Sequence, residues 1–259
     1  MNKSEYIFGI RAIMEALEAG QEVNKVLLKK DLRGDLSHEL SDMLRTRGIP
    51  VQRVPMEKLN SITRKNHQGA IALLSPVAYY DLTQVIPALF DDGMTPFIMV
   101  LDGITDTRNF GAIARTAECA GVDAIVIPSR GSVAITADAE KASAGALMHL
   151  PVCRVGDIAE AVRFLRDSGL SVVAASEKAS GDYTEADFTV PVAIVMGAED
   201  IGISPKVMEL CDNKVSIPIM GSIGSLNVSV AAGVMAYEAV RQRRAASMDA
   251  EFGGVKRFS

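Results

Sequence analysis

Three polar loops, each following an apolar run, hold the residue types that could do chemistry. In the first, Leu101 to Arg115, a helix is expected to begin at Asn109, with the asparagine as its N-cap. Gly111 would let a ligand approach the first turn closely, and Arg115 would project from the second turn. The second loop, Val192 to Ser204, places Gly197, Glu199 and Gly202 in a G-x-E-x-x-G pattern after a strand. The glycine spacing approaches a P-loop, but Ile203 stands at the lysine position, and Glu199 and Asp200 put negative charge where phosphates would sit. That argues against an NTPase and for a tight turn lining a ligand, with Glu199 accepting hydrogen bonds. In the third, Val215 to Val240, a strand ends at Ile217-Pro218, and a Gly/Ser loop from Gly221 leads to Ser225, Leu226 and Asn227. A long helix then opens with Val228, Val230, Ala231, Ala232, Gly233, Val234 and Ala236. So small and apolar a surface has to be buried closely, in the core or against a second subunit. Its N-terminus could also bind an anionic or carboxylate group. Each loop taken alone also has a plainer reading: a capped helix with an exposed arginine, an ordinary strand-to-helix turn, or a core helix with its capping loop.

Other chemistries find less support. No G-x-G-x-x-G occurs for dinucleotide binding, and no G-x-S-x-G for a hydrolase. The three histidines, His38, His67 and His149, lack neighbouring cysteines or paired carboxylates, so no metal site is expected. Cys119, Cys153 and Cys211 are odd in number and widely spaced, which offers neither a disulfide framework nor a CxxC site.

The elements that must position these loops alternate. Apolar runs at Phe97–Leu101, Ala124–Ile127, Leu170–Ala174, Val192–Met196 and Val215–Ile219 read as strands. Between them, Asn109–Ala120, Asp138–Leu147, Asp157–Asp167, Pro205–Cys211 and Leu226–Arg243 read as helices. This pattern predicts a parallel sheet covered on both faces, with ligands at the carboxyl ends of the strands. Upstream, a smaller α/β unit is expected over residues 1–77, with a helix from Gly9 to Glu18, a strand at Lys25–Lys29 and a helix from Leu36 to Arg47. Residues 78–95, with Pro76 just before them and Pro87 and an Asp-Asp-Gly inside, read as a linker around one short helix. Residues 96–244 form the second domain, and 245–259 read as a disordered tail.

Charge is divided along the chain. The whole carries 27 basic and 32 acidic side chains, net -5, a balance that alone argues against a nucleic-acid partner. Residues 1–77 hold 12 basic and 9 acidic groups, net +3; the remaining 15 and 23 give -8. The basic groups of the first unit gather between elements, at Lys29, Lys30 and Arg33 and again at Arg64 and Lys65. These five are candidate contacts to phosphates, and a solvated charged face is the alternative for any one of them. The N-terminus has acidic residues where a signal peptide needs an apolar stretch, and no run of about 18 apolar residues exists. A soluble, cytoplasmic protein with no membrane partner is expected.

Together the three loops resemble the motifs of the SpoU-type RNA ribose 2′-O-methyltransferases of the SPOUT superfamily. The match is N-x-G-x-x-x-R at Asn109, Gly111 and Arg115, G-x-E-x-x-G from Gly197, and Ile217, Pro218, Gly221 and Ser225–Ser229 in the third loop. Tyr6–Ile13 and His67–Ala70 resemble the small substrate-binding domain of the same family, and Thr107 departs from a proline common there. The pattern is most similar to the bacterial 23S ribosomal RNA guanosine-2′-O-methyltransferases. The resemblance implies an α/β fold in which a knotted parallel-sheet methyltransferase domain follows a small α/β substrate-binding domain. A trefoil knot is something that general rules of chain topology would have rejected. It also implies a homodimer, S-adenosylmethionine as cofactor, no metal, and transfer of a methyl group to a ribose 2′-hydroxyl in RNA, ribosomal RNA foremost. Asn109, Arg115, Glu199, Ser225 and Asn227 would be the catalytic set. Met196, Gly197, Ile217, Pro218, Leu226 and Asn227 would hold the cofactor. Family analogy makes Arg115 the group that activates the hydroxyl, yet a guanidinium keeps its protons near neutral pH. Binding the adjacent phosphate and stabilising the developing alkoxide suits it better. The alternatives are a transfer RNA methyltransferase and an inactive RNA-binding or ribosome-assembly factor.

Overall fold

The computed structural model of the chain describes residues 6–252, with side chains up to Met248. It divides into two units, one running through Tyr79 and including Ala134–Glu140, the other comprising the rest.

The first unit contains β1 (Tyr6–Phe8), α1 (Ile10–Glu18), β2 (Val23–Lys29), α2 (Asp35–Thr46), β3 (Val51–Val54), α3 (Met56–Ile62) and β4 (Ala70–Leu74). Its sheet order is β1-β4-β2-β3, with β2 parallel to β3 and antiparallel to β4. Alternation along β2 sorts its side chains between two cores, as the two-residue strand period requires. Val26 and Leu28 meet Ile13 and Leu17 of α1 and Leu40 and Leu44 of α2, while Leu27 meets Leu59 of α3 on the other face.

The second unit contains β5 (Tyr79–Tyr80), α4 (Leu82–Asp91), β6 (Phe97–Asp102), α5 (Thr107–Cys119), β7 (Ala124–Pro128), α6 (Ala137–Ala142) and β8 (Val152–Val155), the first and sixth of these shared with the first unit. Then follow α7 (Ile158–Asp167), β9 (Ser171–Ala175), β10 (Gly181–Asp182), β11 (Val192–Gly197), α8 (Pro205–Leu210), β12 (Asn213–Ser216) and α9 (Val228–Phe252). The sheet runs β10-β12-β9-β11-β6-β7-β8-β5, and every pair from β10 to β8 is parallel. All six residues of β11 are buried, as a strand covered on both faces must be. One face packs Ile98, Val100, Val172 and Val195 under α4, α7 and α8. On the opposite side α9 packs against α5 and β11. A Cβ on Gly233 of α9 would lie 3.4 Å from Thr116 Cγ2 of α5, so the small residues opening α9 serve close helix packing. Farther along α9, Arg243 donates to the carbonyls of Thr95, Pro96, Phe188 and Val190, and its guanidinium stands 5.0 Å from the Phe97 ring centroid. It thereby ties the amino ends of β6 and β11 together.

Several expectations need correction. The presumed linker is packed structure: from Tyr80 it belongs to the second unit, where Leu82 and Ile86 of α4 are core residues. The expected tail is helical as far as Phe252, because α9 continues past Arg243; residues 253–259 lie outside the described residues. The helix expected over Asp138–Leu147 breaks after α6, where Ala144 adopts φ 51° and Gly145 φ 90° before a short 3-10 turn at Ala146–Met148. β8 was not anticipated: only four residues long, it lies beside Pro151 with Arg154 inside it. Residues 1–5 lie outside the described residues as well.

Candidate active site

Parallel strands deliver their following loops to one edge of the sheet. Gly197 at the end of β11 is in register with Asp102 at the end of β6, and Met196 with Ala175 at the end of β9. The loops that carry the three motifs therefore converge, although some 118 residues separate Asn109 from Asn227.

Asp106, not Asn109, caps α5. Its Oδ1 accepts from the amides of Arg108 at 2.9 Å and Asn109 at 2.8 Å. This moves the helix start to Thr107 and leaves the Asn109 side chain free to face the other loops. Asn109 Nδ2 donates to Glu199 Oε2 at 3.2 Å. Asn227 Nδ2 donates to Glu199 Oε1 at 3.2 Å and to Asn109 Oδ1 at 3.1 Å. Asn227 Oδ1 in turn accepts the Ser229 amide at 2.9 Å and the Ser229 hydroxyl at 2.5 Å. The backbone donor at Ser229 settles which end of the Asn227 amide points where, and the rest of the triangle follows from it. The side chains of Glu199 and Asn227 are exposed and Asn109 is half-buried. Hydrogen bonds in contact with water contribute little net stability, so the triangle orients a carboxylate rather than holding up the fold.

The G-x-E-x-x-G turn is built from the backbone. Ala198 N donates to Gly202 O at 3.1 Å and Gly202 N to Ala198 O at 2.8 Å, closing a small hairpin that carries Glu199, Asp200 and Ile201. Gly202 has φ +72°. A Cβ on Gly197 would fall 2.1 Å from Gly202 C and 2.2 Å from Ile203 N, so only glycine fits there. Asp102 Oδ2 accepts the Ser204 amide at 2.7 Å and ties the end of this loop back to β6.

A pocket of about 810 Å³, its open mouth included, lies over the ends of β9 and β11. Met196, Gly197, Ile217, Ser225 and Leu226 line it, as does Glu199. A second cavity shares Glu199 and Asp200 with it and is bordered by Ile104, Asp106 and Asn109. Pro218 is exposed and does not line the pocket; it follows closely on the end of β12. Asn227 is not on the pocket wall either and meets the site through Glu199. Arg115 lies on the exposed face of α5, and among the described residues it has no partner within the chain. Ser225 likewise makes no hydrogen bond there.

Ala175, Ser176, Glu177 and Lys178 also line the pocket and were not anticipated. The available signal was positional: they follow a predicted strand that neighbours the G-x-E-x-x-G strand, where parallel sheets bind ligands. In the first unit, Lys30 N donates to Val54 O and Lys29 N to Gly69 O, so the loops after β2 and before β4 share one end of that sheet. Lys30, Arg33, Arg64 and Lys65 are exposed there and Lys29 is half-buried, with the Lys65 ammonium 5.8 Å from the Phe8 ring centroid. Among the described residues no group of three or more His, Cys, Asp or Glu side chains could hold a metal ion. No helix among them is long and apolar enough to cross a membrane.

Comparison with known proteins identifies these two units. The family model of the SpoU rRNA Methylase family matches residues 96–237, and that for RNA 2′-O ribose methyltransferase substrate binding matches residues 6–80. The chain belongs to the SpoU rRNA methylase family. It is 38% identical, over 92% of its length and 95% of the relative's, to a Staphylococcus saprophyticus protein named as a TrmH family tRNA/rRNA methyltransferase. The SpoU methyltransferase AviRb from Streptomyces viridochromogenes, solved in complex with the cofactor AdoMet, superposes with a TM-score of 0.59 at 28% identity, over 93% of this chain and 90% of that one. An AdoMet-bound rRNA methyltransferase from Sinorhizobium meliloti gives 0.59 at 25% identity, over 92% and 87%. The SpoU methylase thus combines an RNA-substrate-binding unit with a methyltransferase unit, and the Asn109–Glu199–Asn227 triangle lies in the second.

Proposed function

We propose that this SpoU methylase transfers a methyl group from S-adenosylmethionine to the 2′-hydroxyl of a guanosine in 23S ribosomal RNA. The observation that carries this reading is a carboxylate, Glu199, oriented by two asparagine amides at the mouth of a pocket with both apolar and polar walls. The pocket suits the cofactor chemically: Met196, Ile217 and Leu226 offer apolar walls to an adenine, and Glu199 offers negative charge to a cationic sulfonium. When bound, S-adenosylmethionine supplies an activated methyl group on a sulfonium that becomes a neutral thioether on transfer.

The chain's own residues must align the hydroxyl and draw off its proton. Glu199 uses one lone pair of each oxygen on Asn109 and Asn227, and the remaining lone pairs can accept from an incoming hydroxyl. Arg115, exposed and free, serves as a cation for the neighbouring phosphate and for charge developing on the ribose oxygen. Ser225, on the pocket wall, supplies an uncommitted hydroxyl to the pocket. The five basic residues of the first unit bind phosphates, which positions RNA without reading its sequence. Ribosomal RNA is favoured by the family's description and by the whole-chain motif likeness. We extend the reading to the trefoil knot, to cytoplasmic location and to a homodimer; in support of the dimer, Val230 and Tyr237 of α9 remain half exposed, at 52% each. The test is incubation with labelled S-adenosylmethionine and either ribosomal or transfer RNA, followed by mapping of the modified ribose. Label in a 23S guanosine ribose is expected; label confined to transfer RNA, or in a base, overturns the target assignment.

A further inference from the structure

Four ionisable side chains line the pocket over the ends of β9 and β11: Glu177, Lys178, Glu199 and Asp200. Glu199 is committed to Asn109 and Asn227. Asp200 accepts the Ile201 amide through Oδ1 at 3.0 Å and also borders the second cavity. Glu177 is the carboxylate of this pocket whose two oxygens accept nothing from the described residues.

Its backbone, by contrast, is held. Ser176 N donates to Val215 O at 2.9 Å, Ser176 O accepts the Ala179 amide at 3.1 Å, and Ser176 Oγ accepts the Lys178 amide at 3.3 Å. A fixed backbone carrying an unused, exposed carboxylate into a pocket is pre-organised for a ligand with O–H or N–H donors.

The sheet order says which part of a ligand Glu177 meets. β11 lies between β9 and β6; Glu177 follows β9, and Asn109 follows β6. A molecule whose reactive end points to the Asn109–Glu199–Asn227 triangle therefore lays its far half toward the loop after β9. The sulfonium of S-adenosylmethionine carries two arms, an amino-acid chain and adenosine; adenosine has two adjacent ribose hydroxyls, and an ionised carboxylate can accept both O–H groups at once. A carboxylate at the end of one parallel strand, beside a glycine turn on its neighbour, meets a nucleoside ribose in the same way in dinucleotide-binding sheets.

We propose that Glu177 binds the ribose diol of the cofactor and so selects an adenosyl over a deoxyadenosyl ligand. This rests on the cofactor reading above and assigns it a positioning residue outside the three motifs. The experiment is calorimetric binding of S-adenosylhomocysteine and of its 2′-deoxyadenosyl analogue to the full-length protein and to Glu177→Gln. Wild type is expected to bind the deoxy analogue about tenfold to a hundredfold more weakly, the range for a hydrogen bond to a charged group. Glu177→Gln should weaken S-adenosylhomocysteine by a similar factor and bind the two ligands within about threefold of each other, while Glu177→Asp restores part of the preference. The ratio within one variant does not depend on how much of the sample is folded. A variant that keeps the wild-type preference, or a wild type that binds both ligands equally, overturns the Glu177 assignment alone. A wild type that binds neither overturns the cofactor reading together with it.

Discussion

Replacing Gly197 by alanine tests whether the backbone of the G-x-E-x-x-G turn sets the geometry of the site. The added Cβ would lie 2.1 Å from Gly202 C, 2.2 Å from Ile203 N and 2.6 Å from Gly202 O, all backbone atoms that no rotamer change can clear. Bringing the closest contact to 3.4 Å requires the two sides of the turn to part by 3.4 minus 2.1, or 1.3 Å. The paired bonds between Ala198 and Gly202, now 3.1 and 2.8 Å, would both then exceed 4 Å if they took up the whole movement. Two lost bonds at about 0.5–1.5 kcal/mol each, with about 1–3 kcal/mol for overpacking, give roughly 2–6 kcal/mol. At about 2–4 °C per kcal/mol for a chain of this size, the melting temperature falls by roughly 5–20 °C. Glu199 sits inside that hairpin, 3.2 Å from both amides, and the same movement takes it out of their reach. A misplacement of about 1 Å at a reacting centre costs on the order of a hundredfold in rate. Scanning calorimetry, binding of S-adenosylhomocysteine and labelled methyl transfer together read the three effects. Gly202→Ala is the control: nothing lies within 4 Å of its added Cβ, and its φ of +72° costs about 1–2 kcal/mol of backbone strain alone. Wild-type stability, affinity and rate in Gly197→Ala would refute the reasoning, as would a Gly202→Ala that is the more damaged of the two.

Three further outcomes are expected. Asn109→Ala and Asn227→Ala should each lower methyl transfer about tenfold to a hundredfold, and the double variant should lose much less than the product, because both amides orient the same carboxylate; additive losses would mean the two act independently. Burial pushes the Cys153 and Cys211 thiols up to about 12, while Cys119 is exposed, so a thiol reagent at pH 8 should give one adduct by mass spectrometry when folded and three when unfolded. The Arg241 guanidinium beside Glu238 holds its carboxyl below the usual value of 4.5, with Gln242 donating to the same carboxylate. The unfolded chain then binds that proton more tightly, so this contribution is present above pH 4.5 and is lost as pH falls through the lowered folded value; melting curves between pH 6 and 3 should show a shallower acid decline in Glu238→Gln than in wild type.

The amino-acid sequence by itself determined the class of structure and most of the site. Apolar runs too uniform for one-sided burial, alternating with amphipathic stretches, required a covered parallel sheet. Such a sheet delivers its loops to one edge, and the three motifs were legible because each needs particular residue types at short range: glycines for a turn, asparagines for amide donors, a glutamate to receive them. Local pattern misled where two choices were close in free energy. Asp106 and Asn109 are both good helix caps, and only the fold shows that Asp106 takes the amides while Asn109 faces Glu199. Residues 245–252 lack a strong apolar pattern but continue α9, a helix already formed and buried along its earlier turns. What the tertiary structure alone decided is which groups meet across long separations. Asn109, Glu199 and Asn227 form one triangle, and Glu177 joins the pocket that Glu199 lines, through the order β9-β11-β6, which is set by packing between strands far apart in the chain. Periodicity reports the face on which a residue lies; it carries no information about which strand will be its neighbour.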